Sequence, residues 1–349
     1  MRTTMNISKY RTAIMGLAAL WVWYFHCGTT FIQSGGILEK VEWYLQRIGF
    51  CGVDIFILLS GFGLYYYFEK HPLNNVQSLF QYYRRRLGRI YATFLPFTIL
   101  FAYVKQWTFR EFIGRVTTYS LFKIIIYEYL WFMACLFFFY FIAPYYMMIF
   151  RKIKHKLLLT LSAILISILS VYLLTNHLRM DLFGIIIRFP VFLLGFYFGY
   201  LEYNQKWKRT FTLILFAALM ILAVPLSYIY NKGEGTIAFI IPEQHTLFNA
   251  ILAPGIIIFA ATLLSWLDSK KVGKTIMNVL GFYGMISLEF YLFQEWIESY
   301  FIADIFSSHP FLFDVVSFAV STILAYLLYI IFTKYIKAKF TIGKINNIS

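Results

Sequence analysis

Runs of about twenty mainly apolar residues, separated by short polar stretches, recur along the first half of the chain at roughly 12–32, 48–68, 87–105, 128–150 and 157–175. Five more follow at roughly 183–201, 210–230, 247–267, 280–302 and 312–334. About twenty residues of helix cover a bilayer core, so the pattern predicts an all-α polytopic membrane protein of about ten transmembrane helices. No gap between runs leaves room for a soluble domain, and no paired interrupted segments mark an internal repeat. Residues 1–349 therefore read as a single membrane domain.

The polar stretches test that reading, because Lys and Arg should gather in alternate loops. The N-terminus (Arg2, Lys9, Arg11), Arg84 to Arg89, Arg151 to Lys156, Lys206 to Arg209, Lys270 to Lys274 and the tail (Lys334, Lys337, Lys339, Lys344) fall on one side. Both termini are expected to be cytoplasmic. The opposite loops carry Glu39, Glu42, Asp181, Glu234, Glu243, Glu298 and Asp304. Only Arg110, Arg115 and Lys123 fall on the wrong side, which reads as an interfacial or re-entrant stretch.

Composition closes off other classes. With 60% hydrophobic and 13% charged residues, the chain has too little polar surface to coat a soluble globule. The net charge of +15 lies in loops between apolar runs, which points to membrane orientation and to no nucleic-acid partner. Cys27, Cys51 and Cys135 show no CxxC or Cys/His spacing, so no disulfide framework or zinc site follows. They read as small packing residues, with a Cys27–Cys51 bridge as the alternative. The first apolar run lacks a small-residue cleavage site and is expected to be retained as a helix.

Ionisable groups within apolar runs cost several kcal/mol unless paired or hydrated, so each is a functional candidate. His26 lies fifteen residues beyond Arg11, about 22 Å up the first helix and in its outer third. Asp54 comes early in the next run, which returns inward, at a similar depth. A carboxylate that orients a histidine lets it act as general base on a hydroxyl; the competing reading is a polar pair that only fixes packing. Arg188, Glu128, Trp131, Gln294 and Glu295 are expected near the same outer layer, where they can line an acceptor or oxyanion site. For Glu128 and Glu295 the competing reading is interfacial solvation. Glu289 lies nearer mid-helix, where it needs a buried partner. On the cytoplasmic side Arg84, Arg85, Arg86 and Arg89 open the third run, with positions 86 and 89 on one face. They suit either a positive-inside anchor or a clamp for the phosphates of an acyl-coenzyme A. Gly16, Ala18 and Ala19, with Gly52, Ser60, Gly61 and Gly63, would let the first two runs approach closely.

The segments MGLAALWVWYFH (Met15 to His26) and GVDIFILLSGF (Gly52 to Phe62) resemble the acyltransferase type 3 family. So, in the family order, do YRRRLGRI (Tyr83 to Ile90), LWFMACLFFFYFIAP (Leu130 to Pro144), RFPVFLLGFYFG (Arg188 to Gly199) and LGFYGMISLEFYLFQ (Leu280 to Gln294). The resemblance implies a stand-alone, multi-pass enzyme of a bacterial-type cell membrane. Such an enzyme moves an acyl group, commonly acetyl, from acetyl-coenzyme A or another acyl-coenzyme A to a hydroxyl of a cell-surface or lipid-linked glycan. It also implies that His26 is the essential histidine, Asp54 the aspartate of the second-helix motif, and Arg86 and Arg89 the donor-binding pair. Two positions depart from the family pattern. Met15 stands where an arginine is usual, and Arg11, one turn earlier on roughly the same face, can substitute. Gln294 stands where many relatives carry histidine. No His/Asp cluster has metal-ligand spacing, so no metal is expected. The competing classes are a glycan or solute transporter built on the same intramembrane groups, and a catalytically inactive relative.

Overall fold

The computed structural model describes residues 5–119, 130–177, 183–231, 245–300 and 309–334, and every regular element among them is helical. In chain order they are α1 (Ile7–His26), α2 (Ile37–Arg47), α3 (Cys51–Lys70), α4 (Val76–Val104), α5 (Phe109–Val116), α6 (Trp131–Lys152) and α7 (Lys156–His177). They continue with α8 (Phe183–Tyr203), α9 (Arg209–Asn231), α10 (His245–Leu267), α11 (Lys271–Met285), α12 (Ser287–Tyr300) and α13 (Pro310–Leu328). The described residues of the ten apolar runs are mostly helical, although the first run continues six residues past the end of α1 and the run at 280–302 is broken at Ile286 into α11 and α12. By length and apolarity the described residues hold four candidate membrane spans, Ile37–Lys70, Val76–Val104, Trp131–Lys152 and Pro310–Phe332, or five if α11 and α12 form one broken span. That is fewer than the ten expected. Lys156–Ser170, Arg209–Pro225 and Ile251–Leu267 are apolar but shorter, and α1 carries Lys9 and Arg11 in its first turns.

Contacts gather the helices into two compact units, one of residues 1–25, 30–72 and 142–285, the other of 26–29, 73–141 and 286–349. In the first unit α3 is apolar all round, and its residues are buried nearly from end to end, as expected for a central helix. Lipid tails give helices no hydrophobic reason to associate, so packing depends on close backbone approach. Glycine supplies it here. A Cβ on Gly61 of α3 would collide with the Phe192 carbonyl of α8, and one on Gly195 would collide with the Leu58 carbonyl of α3. Gly16 of α1 and Gly284 of α11 meet in the same reciprocal way, against Leu280 and Thr12. Of the small residues expected to join the first two apolar helices, Gly52 does so, 2.7 Å from the Ala18 carbonyl on the added-Cβ measure. Gly16 and Gly61 serve other partners. The Glu202 carboxylate caps α1, accepting the amides of Ile7 (3.0 Å) and Ser8 (2.8 Å), where orphan N–H groups and the helix dipole favour an anion.

The second unit packs differently. α4 starts eleven residues before the apolar run, at a capping box in which Asn75 accepts from the Ser78 amide at 2.8 Å. Its inner face joins α12 through Phe97 and Phe101 with Phe293 and Trp296, whose ring centroids lie 5.3–6.3 Å apart. Phe290 of α12 meets Phe318 of α13 edge-on at 5.9 Å. The basic stretch on the wrong side becomes α5, closed at its start by a Thr108–Glu111 capping box, with Arg115 4.0 Å from the Trp107 ring centroid. Phe109 and Ile113 of α5 are exposed on one face, which suits an interfacial position; Lys123 lies outside the described residues. Cys27, Cys51 and Cys135 are all free and buried.

Candidate functional site

In the first unit Asp54, Arg188 and Arg11 are held by neighbouring helices. Asp54, 0% exposed in the first turn of α3, lies 3.5 Å from Nε of Arg188 on α8, whose side chain is 16% exposed. Sequence places both residues in one layer but does not pair them. A buried pair of this kind gives little net stability, yet removing one member strands the other charge at a cost of about 3–5 kcal/mol. Arg11 projects from α1 onto α3, where its Nε donates to the Leu59 carbonyl at 3.2 Å. It fits because residue 63 is glycine: a Cβ there would sit 3.2 Å from the guanidinium carbon. Met15, one turn on, is half-buried.

The second unit holds the other candidates. His26 is the last residue of α1 and half-buried, and it groups with Cys27 to Thr29 in this unit. The backbone just beyond it is tied down by Asp314 of α13, which accepts the Gly28 amide and the Thr29 hydroxyl, both at 3.2 Å. Glu289, 3% exposed on α12, finds its partner in Thr93 of α4, whose hydroxyl donates at 2.8 Å. Gln294, also on α12, is 0% exposed, and neither amide atom has a hydrogen-bond partner among the described residues. Arg86 is half-buried and Arg89 exposed. Both lie in the third and fourth turns of α4, not at its start, because the Asn75 cap adds polar turns that no apolar run announces. Trp131 opens α6 half-buried, edge-on to Phe132. Glu128 and the Glu295 side chain lie outside the described residues.

Asp314, Ser317 and Ser321 are not among the residues that sequence singles out. All three are buried, at i, i+3 and i+7 on one face of α13. The Ser317 and Ser321 hydroxyls have no partner among the described residues. Thr322 of the same helix, by contrast, bonds back to the Phe318 carbonyl at 2.8 Å. The available signal is a polar stripe of helical period within an apolar run. Buried polar atoms are nearly always satisfied, so Gln294, Ser317 and Ser321 stand out in this unit, as Trp207 Nε1 does in the first.

A family model described as an acyltransferase domain matches residues 13–330, a range that contains every motif from Met15 to Gln294. No curated protein and no solved structure matches the chain.

Proposed function

Because this chain belongs to the acyltransferase family whose domain covers residues 13–330, we propose that it moves an acyl group, acetyl in the first instance, from acyl-coenzyme A to a glycan hydroxyl. The donor is drawn from the cytoplasm, and the acceptor is a cell-surface or lipid-linked sugar. The match over nearly the whole chain carries this reading. The buried polar groups of the second unit give it residues to work with.

In the proposed reaction His26 takes the proton of the acceptor hydroxyl, and that oxygen attacks the thioester carbonyl carbon. The tetrahedral oxyanion accepts a hydrogen bond from the Gln294 amide, a neutral donor in a water-poor site. The C–S bond then breaks, the sulfur takes the proton back from His26, and ester and free thiol leave. Arg86 and Arg89, one turn apart on α4, hold the donor's phosphates by paired N–H donors. The flat face of Trp131 offers a platform for a pyranose ring. Arg188 is already drawn to Asp54 and Arg11 to α3, so the first unit supplies rigid helices more than reacting groups.

The test is incubation of the purified full-length chain with acetyl-coenzyme A and a mixture of lipid-linked and soluble glycans. Free thiol and glycan-bound acetyl should appear in equal amounts. Glycan movement across proteoliposomes with no donor consumed would sink the proposal in favour of transport.

A further inference from the structure

Within the first unit a cavity of about 540 Å³ opens between α7 and α8. Lys156, Leu157 and Leu158 of α7 line it, facing Tyr197 and Tyr200 of α8 and Lys206 just beyond that helix. His155 completes the polar rim, and no carboxylate is present in the lining. Lys206 lies near enough to Lys156 to repel it, an arrangement that favours an anion between them. The carboxylate that acts on Lys156, Glu69, is itself engaged with Arg151 at 3.4 Å.

The two ammonium groups retain capacity to bind. Lys156 donates to the carbonyls of Phe150 and Arg151, and Lys206 donates to the Tyr200 hydroxyl while lying 4.5 Å from its ring centroid. Each ammonium has three protons, so one on Lys156 and two on Lys206 remain beyond these bonds. Residues 156–158 form the first turn of α7, where backbone amides add partial positive charge.

Below the cations the lining turns apolar and outward: Leu157 is 50% exposed and Leu158 64%. In a membrane helix such side chains face acyl tails. The occupant must therefore join an anionic head to a hydrocarbon chain. Both flanking stretches, Arg151 to Lys156 and Lys206 to Arg209, belong to the basic set assigned to the cytoplasmic side, where anionic lipid is concentrated.

We propose that the groove between α7 and α8 binds the phosphate headgroup of an anionic phospholipid, with Lys156 and Lys206 on the phosphate, the tyrosines at headgroup level and the leucines along the chain. The site uses neither Arg86 nor Arg89 and stands whether or not the acyl-transfer reading holds.

The test is native mass spectrometry of the full-length protein in detergent, titrated separately with phosphatidylglycerol, phosphatidylcholine and coenzyme A. Phosphatidylglycerol should bind in preference to phosphatidylcholine. Lys156→Gln/Lys206→Gln should weaken phosphatidylglycerol binding by about tenfold to thirtyfold, as expected for two lysines on one anionic headgroup. Lys152→Gln/Lys154→Gln removes the same charge from the basic stretch that carries Lys156, at residues outside the cavity lining, and should leave that binding unchanged. Equal losses in both double variants would overturn the proposal by showing general surface attraction. So would coenzyme A displacing phosphatidylglycerol from the wild type, which would assign the groove to a soluble phosphate ligand.

Discussion

The two units differ in what meets the polar and charged groups within their helices. In the first, charge meets charge or backbone: Arg188 lies against Asp54, Arg11 against the Leu59 carbonyl, Glu202 against the amides of α1. Its helices touch backbone to backbone through Gly16, Gly61, Gly195 and Gly284. In the second, Glu289 is held by the neutral Thr93 hydroxyl, and the polar side chains of Gln294, Ser317 and Ser321 lie buried with no partner among the described residues. The first unit is packed through its glycines, and its charged groups are engaged by neighbouring helices. Leaving a buried polar group unpaired costs about 1–3 kcal/mol, so Gln294, Ser317 and Ser321 are where a polar ligand in the second unit would gain most.

The contrast is broken most severely at the glycines. Gly195→Ile or Gly284→Ile puts a branched side chain where even a methyl group collides with backbone, and neither variant should yield folded protein by size-exclusion profile in detergent. Asp54→Asn comes next. It should lower unfolding stability by about 3–5 kcal/mol by stranding Arg188, and adding Arg188→Met should restore most of the loss. Recovery absent in the double variant would show that the pair does more than neutralise itself. At Gln294 stability and activity should part company. Gln294→Leu removes polar atoms that have no partner among the described residues, so stability should hold or rise, while turnover falls by about a hundredfold.

The smallest effect concerns pH at the base of α1. Lys9 Nζ bonds Asp268 at 2.6 Å and Tyr10 adds its hydroxyl at 3.1 Å, so the Asp268 carboxyl is held below its ordinary value of 3.8 and Lys9 above 10.5. A depressed carboxyl stabilises the fold above pH 3.8 and loses that contribution as pH falls through its folded value. A raised amine stabilises it below 10.5 and loses that as pH rises through its own. Asp268→Asn should therefore flatten both limbs slightly and leave neutral-pH stability nearly unchanged, because the pair is exposed.

The helical character of the apolar runs was legible in the sequence, because long apolar runs favour helix, whereas the number of segments long and apolar enough to span was not. Segments set by other physics were not. The α2 helix, Ile37–Arg47, is amphipathic and reads as a polar loop, and the first turns of α4 depend on an asparagine cap. The break at Ile286 lies inside an unbroken apolar stretch. For the site, residue type and depth singled out His26, Asp54, Arg188, Glu289 and Gln294. Which partner each would find could not be read, since the rotation of one helix against another decides that Asp54 meets Arg188 and Glu289 meets Thr93. Asp314 escaped notice because its task is to hold the backbone beyond His26, a role that leaves no motif.

The most direct measurement compares binding with turnover of radiolabelled acetyl-coenzyme A in wild-type protein, His26→Ala and Arg86→Ala/Arg89→Ala, all shown to be folded. The account predicts that His26→Ala binds donor as the wild type does yet transfers acetyl about a hundredfold to ten-thousandfold more slowly. It predicts that the arginine variant loses donor affinity first. A His26→Ala protein that acylates glycan at the wild-type rate would contradict the account at its centre.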